Sequence, residues 1–196
     1  MTLILSLLGP NQALDPTSSP TFSGVKTNAN VGTAGTGVTA TEWGDGYTHT
    51  SVLTVSTTLA AITGGVAQAL GNLVYTFPAG AIVVNEAYMS MAITQSEGNI
   101  NADTPDVGIG TTQASGANAT LSAVASTAED IITGQTAADC NGTATVKTID
   151  ESMDAVVIES GDTRTVYFNV ADTWAASGDS AAAIAGTIVL KWAFMN

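Results

Sequence analysis

From residue 47 onward the apolar positions repeat every second residue rather than every third or fourth. Tyr47, His49, Ser51, Leu53 and Val55 share one parity and Thr48, Thr50 and Thr54 the other, the pattern of a half-buried strand. Leu73, Tyr75 and Phe77 alternate in the same way up to a turn at Pro78-Ala79-Gly80. Ala81–Thr94 is expected to set Val83, Ala87, Met89, Met91 and Ile93 on one face and Ile82, Val84 and Tyr88 on the other. Shorter strands are expected at Asp106–Thr112, Thr143–Ile149, Asp154–Glu159 and Arg164–Val170, with Glu159-Ser160-Gly161-Asp162 as a hairpin-type turn between the last two. The clearest strand closes the chain. There Ile184, Gly186, Ile188, Leu190, Trp192 and Phe194 alternate with Ala185, Thr187, Val189, Lys191 and Ala193.

One stretch breaks the rhythm. Leu121, Val124, Ala128, Ile131 and Ile132 fit a helical stripe within residues 121–133, and Gly134 stands where a C-terminal cap would. Seven or eight strands, one short helix and no βαβ alternation predict an all-β fold. Its expected form is an antiparallel β-sandwich, jelly-roll-like, with an immunoglobulin-like sandwich as the second form.

The first quarter of the chain has a different texture. Pro10, Asp15-Pro16, Ser18-Ser19-Pro20 and the Gly-Thr pairs between Val31 and Val38 offer no long periodicity. Residues 1–45 therefore read as an extended N-terminal docking arm and residues 46–196 as the sandwich domain. At the head of the arm, Met1–Leu8 is apolar but ends at Gly9-Pro10, too short for the ~20 residues of a membrane span. It also lacks the basic start and cleavage site of a secretory signal. Its expected role is an apolar peg, and Leu3, Ile4, Leu5, Leu7 and Leu8, with Phe22 as an anchor, are the predicted partner-binding residues.

Charge narrows the possible partners. Seventeen acidic residues stand against Lys26, Lys147, Arg164 and Lys191, for a net charge of −13. Residues 1–85 carry −2 of this (three acids, one base) and residues 86–196 carry −11 (14 acids, three bases). A chain of this sign cannot build the basic surface that nucleic acid or an anionic membrane requires, so neither is an expected partner. Only 11% of residues are charged, and Ala, Gly, Ser and Thr fill long stretches, a composition suited to surfaces covered by other subunits.

The same scarcity limits chemistry. His49 is the single histidine and Cys140 the single cysteine, so there is no intrachain disulfide, and one His with one Cys cannot complete a protein-only zinc site. His49 sits in a strand pattern with no Gly-x-Ser-x-Gly elbow in the chain, and reads as a half-exposed strand histidine. Carboxylates cluster at Asp150-Glu151 with Asp154 and at Glu129-Asp130, but adjacency in sequence does not set two carboxyls across a sugar. Asn99-Ile100-Asn101-Ala102-Asp103 with Asp106 is compared with a calcium loop and fails it. The sixth position is Thr104 rather than Gly and the twelfth is Gly110 rather than Glu. No catalytic residue, cofactor or metal site is expected.

At Asp15-Pro-Thr-Ser-Ser-Pro-Thr-Phe-Ser-Gly-Val25 the chain resembles a phrase of tailed-bacteriophage virion proteins, in which Ser-Pro-Thr-Phe is followed by a small residue, Gly and an aliphatic. The resemblance covers about ten residues. It implies a structural virion protein without enzymatic activity. The chain has no long internal repeat and no heptad shaft, which favours a head-bound capsid decoration (cement) protein. On that reading it is a homotrimer on the capsid surface whose arm grips the major capsid protein. A short tail fibre or spike binding a host-surface glycan through Trp43, Tyr47 or Trp174 is the second reading.

Overall fold

The computed structural model describes residues 32–44, 47–95, 100–142, 146–150, 155–175 and 180–195. In chain order the elements are β1 (Thr33–Ala34), β2 (Val38–Gly44), β3 (Thr48–Ile62), β4 (Ala67–Thr76), β5 (Ala81–Thr94), β6 (Asp106–Gly110) and α1 (Leu121–Val124). A 3-10 turn at Ser126–Ala128 precedes β7 (Ile132–Thr136), β8 (Val146–Asp150), β9 (Val156–Ile158), β10 (Thr165–Thr173) and β11 (Ser180–Met195). They form two antiparallel sheets packed as an all-β sandwich. The five-stranded sheet runs β1-β4-β10-β6-β7 and the six-stranded sheet β2-β3-β11-β5-β8, with β9 also paired on β5.

Strand order gives the topology. With β1 and β2 set aside and β8 and β9 taken as one broken strand, eight strands are left in chain order. One sheet then reads 1-8-3-6 and the other 2-7-4-5, which is the order of a jelly roll.

Two mixed-parity stretches are explained by bulges. In β5 Ile82 and Val84 are buried, and so are Ala87, Met89, Met91 and Ile93, although the two sets have opposite parity. Lys191 pairs with Glu86 while Trp192 pairs with Val84, so Asn85 is the extra residue, and it flips the sidedness of the strand. Ile82 and Val84 therefore join the core rather than the opposite face, and Val83 is only partly buried. In β4 the register shift opposite Val166/Tyr167 lets neighbouring Val74 and Tyr75 both be buried.

The main core lies between the sheets. Leu53, Val55, Met89, Met91, Ile188, Leu190 and Trp192 meet Val74, Val107, Ile109, Ile132, Phe168 and Val170, all within one apolar cluster. A second, smaller cluster covers the outer side of the five-stranded sheet. There Leu121 and Ala114, from the segment between β6 and β7, pack on Ala69 and Ala171.

The expected helix does lie over a sheet, but it is a single turn. Ala125 is fully extended (φ −170°) and ends α1, and Ile132, assigned to the helical stripe, belongs to β7 opposite Ile109. Burying two β-branched residues against the main core outweighs continuing a helix.

Two further expectations change. The turn at Glu159–Asp162 forms, with the Asp162 amide donating to the Glu159 carbonyl at 3.0 Å. It is no hairpin, because β9 and β10 lie in different sheets. Residues 33–34 and 38–44, read from sequence as part of the arm, are β1 and β2, paired with β4 and β3. Short Thr/Ala-rich strands carry little periodicity of their own, and it is the waiting edges of β3 and β4 that order them. The arm up to residue 31 lies outside the described residues.

A buried amide fastens the covering segment. Asn169 of β10 is fully buried and faces away from the main core. Its Nδ2 donates to the carbonyls of Thr112 (2.9 Å) and Ala128 (2.7 Å), and its Oδ1 accepts from the Ala114 amide (2.9 Å). Gly71 lies opposite on β4, where a side chain would collide with the Asn169 amide and the Ala114 backbone. Asn169→Ala strands three backbone groups at once, two of them buried. The expected loss is about 2–4 kcal/mol in urea unfolding, with faster amide exchange across residues 111–128 than in β11.

Candidate functional site

The outer face of the six-stranded sheet can be read row by row from its registers. Thr39, Thr54, Thr187 and Ser90 stand side by side on β2, β3, β11 and β5, and the next row is Thr41, Val52, Val189 and Tyr88. The third is Trp43, Thr50, Lys191 and Glu86. These four strands hold three charged residues, of which Glu42 is of the opposite, inward parity. On a chain of net charge −13, the outward side of these strands therefore carries one cation and one anion.

Those two charges neutralise each other. Lys191 Nζ is 2.5 Å from Glu86 Oε2, and the Tyr88 hydroxyl donates to the same oxygen at 2.5 Å. The ammonium also lies 5.3 Å from the centroid of the Tyr88 ring. The Lys191 ammonium first, then the Tyr88 hydroxyl, holds the Glu86 carboxyl below the usual carboxylate range, and Glu86 in turn raises Lys191.

The third row borders a cleft of ≈ 350 Å³ between β2 and the β5 bulge, lined also by Gly44, Thr48, His49, Asn85 and Trp192. Trp43 is 46% exposed at its edge. Beneath it, on the inner side of the sheet, His49 stacks on the Trp192 indole (4.3 Å between centroids, 11° between planes), and Phe194 meets both rings edge-on. His49 is thus buried rather than half-exposed, and its Nε2 has no hydrogen-bond partner among the described residues.

Beside this stack is a buried polar chain. Trp192 Nε1 donates to Ser51 Oγ (2.8 Å), Ser51 Oγ donates to Glu42 Oε1 (2.6 Å), and the Tyr75 hydroxyl donates to the same carboxylate oxygen from the opposite sheet. Ser51 is held by Trp192, Glu42 and the Tyr75 hydroxyl (3.4 Å), with no histidine among its partners.

Of the aromatic residues considered for glycan binding, Trp43 (46% exposed) and Tyr47 (60% exposed) are open, whereas Trp174 is buried at 1%. The Trp174 indole N–H donates to the Gln68 carbonyl at 3.0 Å, which fixes it as a structural residue. The predicted docking residues Leu3, Ile4, Leu5, Leu7, Leu8 and Phe22 all lie outside the described residues.

Of the carboxylates singled out in sequence, Glu151 and Asp154 lie outside the described residues, and Asp103, Asp106, Glu129 and Asp130 hold backbone in place. Asp103 accepts from the Ala175 amide (2.9 Å), Asp106 from the Leu121 amide (2.8 Å) and Glu129 from the Gly134 amide (2.6 Å). Asp130 accepts from the Thr111 amide and hydroxyl at 2.8 and 2.7 Å, while its burial pushes the carboxyl pKa upward. Among the described residues no group of three or more His, Cys, Asp or Glu is placed to hold a metal ion. No described helix is long and apolar enough to cross a membrane.

Sequence pattern missed the third row because its members are far apart in the chain. Lys191 and Glu86 gave one signal: each is a lone charge within an otherwise uncharged strand.

Cys140 is fully buried, and its thiol pKa is pushed up to about 12, first by burial and then by the carboxylates of Asp103, Asp172 and Asp139. Ellman's reagent at pH 8 is expected to label the native protein at least ~100-fold more slowly than the guanidinium-unfolded chain. Asp172 is raised as well, by burial and then by the nearby charges of Asp103 and Asp106. The folded state takes up this proton at a higher pH than the unfolded chain does. Ionisation above that pH therefore works against the fold, and the penalty fades as pH falls. Asp172→Asn is expected to raise the melting temperature at pH 7, with a gain that shrinks toward pH 4, as measured by calorimetry. The chain matches no protein-family model, no curated protein and no solved structure, so its own residues carry the functional reading.

Proposed function

We propose that this chain is a structural virion protein of a tailed bacteriophage, a capsid decoration (cement) protein that works by covering and bridging subunits rather than by catalysis. The observation that carries the reading is the outer face of the six-stranded sheet. Across β2, β3, β11 and β5, two registered rows of Thr, Ser, Val and Tyr carry no charge and the third carries one self-neutralised ion pair, on a strongly acidic chain. Copies that repel one another elsewhere can meet on the two uncharged rows without opposing like charges, and the third row stays open. In this reading the sandwich stands on the capsid surface as a homotrimer. The segment before Gly32, with Leu3, Ile4, Leu5, Leu7, Leu8 and Phe22, docks on the major capsid protein. The phrase at Asp15–Val25 that resembles phage virion proteins lies within this segment.

Apolar side chains and main-chain hydrogen bonds supplied by such a segment would add free energy across a subunit joint without any new chemistry. Gold-labelled antibody against the chain should decorate the heads of intact particles in electron micrographs. Deleting residues 2–8 should remove the protein from particles while the circular-dichroism spectrum of the sandwich stays unchanged. Particle binding that survives the deletion would overturn the role of the arm, and label confined to tail tips would overturn the head assignment.

A further inference from the structure

We propose that the cleft along the third row binds a neutral saccharide, with Trp43 as the stacking surface and Glu86, Lys191 and Asn85 as the hydrogen-bonding groups. This inference does not depend on where the protein stands in a particle.

Trp43, Thr50, Lys191 and Glu86 are direct neighbours on four adjacent strands, so three inter-strand gaps of ~4.8 Å set them along about 14 Å. That is the length of a short oligosaccharide lying across the sheet. The cleft volume of ≈ 350 Å³ lies in the range of small-ligand sites. The bulge at Asn85 adds a residue that has no partner in the register with β11 and places an amide at the end of the row. Bulges of this kind re-aim side chains beside binding sites.

The chemistry then selects among ligands. An exposed indole at one end offers a flat apolar face that suits the C–H face of a pyranose ring. Sugar hydroxyls both donate and accept, and the row supplies both kinds of partner. Glu86 accepts, Lys191 donates, and Asn85, Thr48 and Thr50 do either. A purely apolar ligand would desolvate the Glu86–Lys191 pair and return no hydrogen bonds. An anion would meet Glu86 and the field of a chain at −13. A cation would have to displace Lys191, which already neutralises Glu86. A neutral polyhydroxylated ligand meets none of these penalties.

The three tryptophans give a direct readout. Trp174 and Trp192 are buried at 1%, and Trp43 is 46% exposed, so acrylamide quenching of fluorescence reports Trp43 nearly alone. The probes are a printed panel of neutral, sialylated and sulfated oligosaccharides, followed by titration of the full-length protein with the best neutral trisaccharide on the panel. The expected result is retention of neutral members and loss of acrylamide quenching on titration. Trp43→Ala should weaken binding at least tenfold and Glu86→Gln severalfold. Thr39→Ala, two rows away on the same face, should leave it unchanged, with circular dichroism confirming that each variant is folded. Three results would each overturn the proposal: no neutral saccharide retained at millimolar concentration, retention of anionic members alone, or binding indifferent to Trp43→Ala.

Discussion

Everything in this fold hangs on β11 being paired along both of its edges. It runs antiparallel to β3 on one side, from Ser180 to Ala193, and to β5 on the other, from Ala183 to Met195. Its inward parity faces the opposite sheet, and Ile184, Ile188, Leu190 and Trp192 on that side are buried. Gly186, within the same strand, has φ +151°, and a side chain there would run into the Ser90 carbonyl and Met91 of β5. The last residues of the chain thus hold together strands formed by its first half. The pairing is non-local, since β11 joins strands that lie far earlier in the chain.

The parity imposed by β11 also creates the outer face. Once Trp192 and Leu190 point inward, Lys191, Val189 and Thr187 must point outward, and their partners on β3 and β5 follow. The bulge at Asn85 reconciles Ile82 and Val84 with Ala87 and Met89, so that both halves of β5 reach the core. It also sets Asn85 beside Glu86 at one end of the third row. Core packing and surface chemistry are therefore decided by the same extra residue.

Polar groups in this protein serve chiefly to hold elements in place. Asn169 ties the covering segment to β10. Asp103, Asp106, Glu129 and Asp130 each accept a backbone amide around that segment or its neighbours. Glu42, Ser51, Tyr75 and Trp192 join the two sheets through the core. These carboxylates are thus structural. The neutral rows on the six-stranded sheet stand apart from them.

Alternation along the chain by itself determined the all-β class, the near-exact span of β5 and the presence of a strand at each predicted place. Those properties depend on a period of two residues and on the burial habits of side chains, which any window of sequence displays. The reach of the sandwich into residues 33–44, the collapse of the helix to one turn, the burial of His49 and Trp174 and the placing of Ile82 and Val84 were decided only by tertiary structure. In each case the deciding partner lies far along the chain. β3 and β4 recruit the short N-terminal strands, Ile109 claims Ile132, Trp192 stacks on His49, and Gln68 accepts from Trp174. A local pattern says which side of a strand prefers to be dry. Which neighbour supplies the dry side, and which four residues stand in one row, is settled only when strands distant in sequence pair.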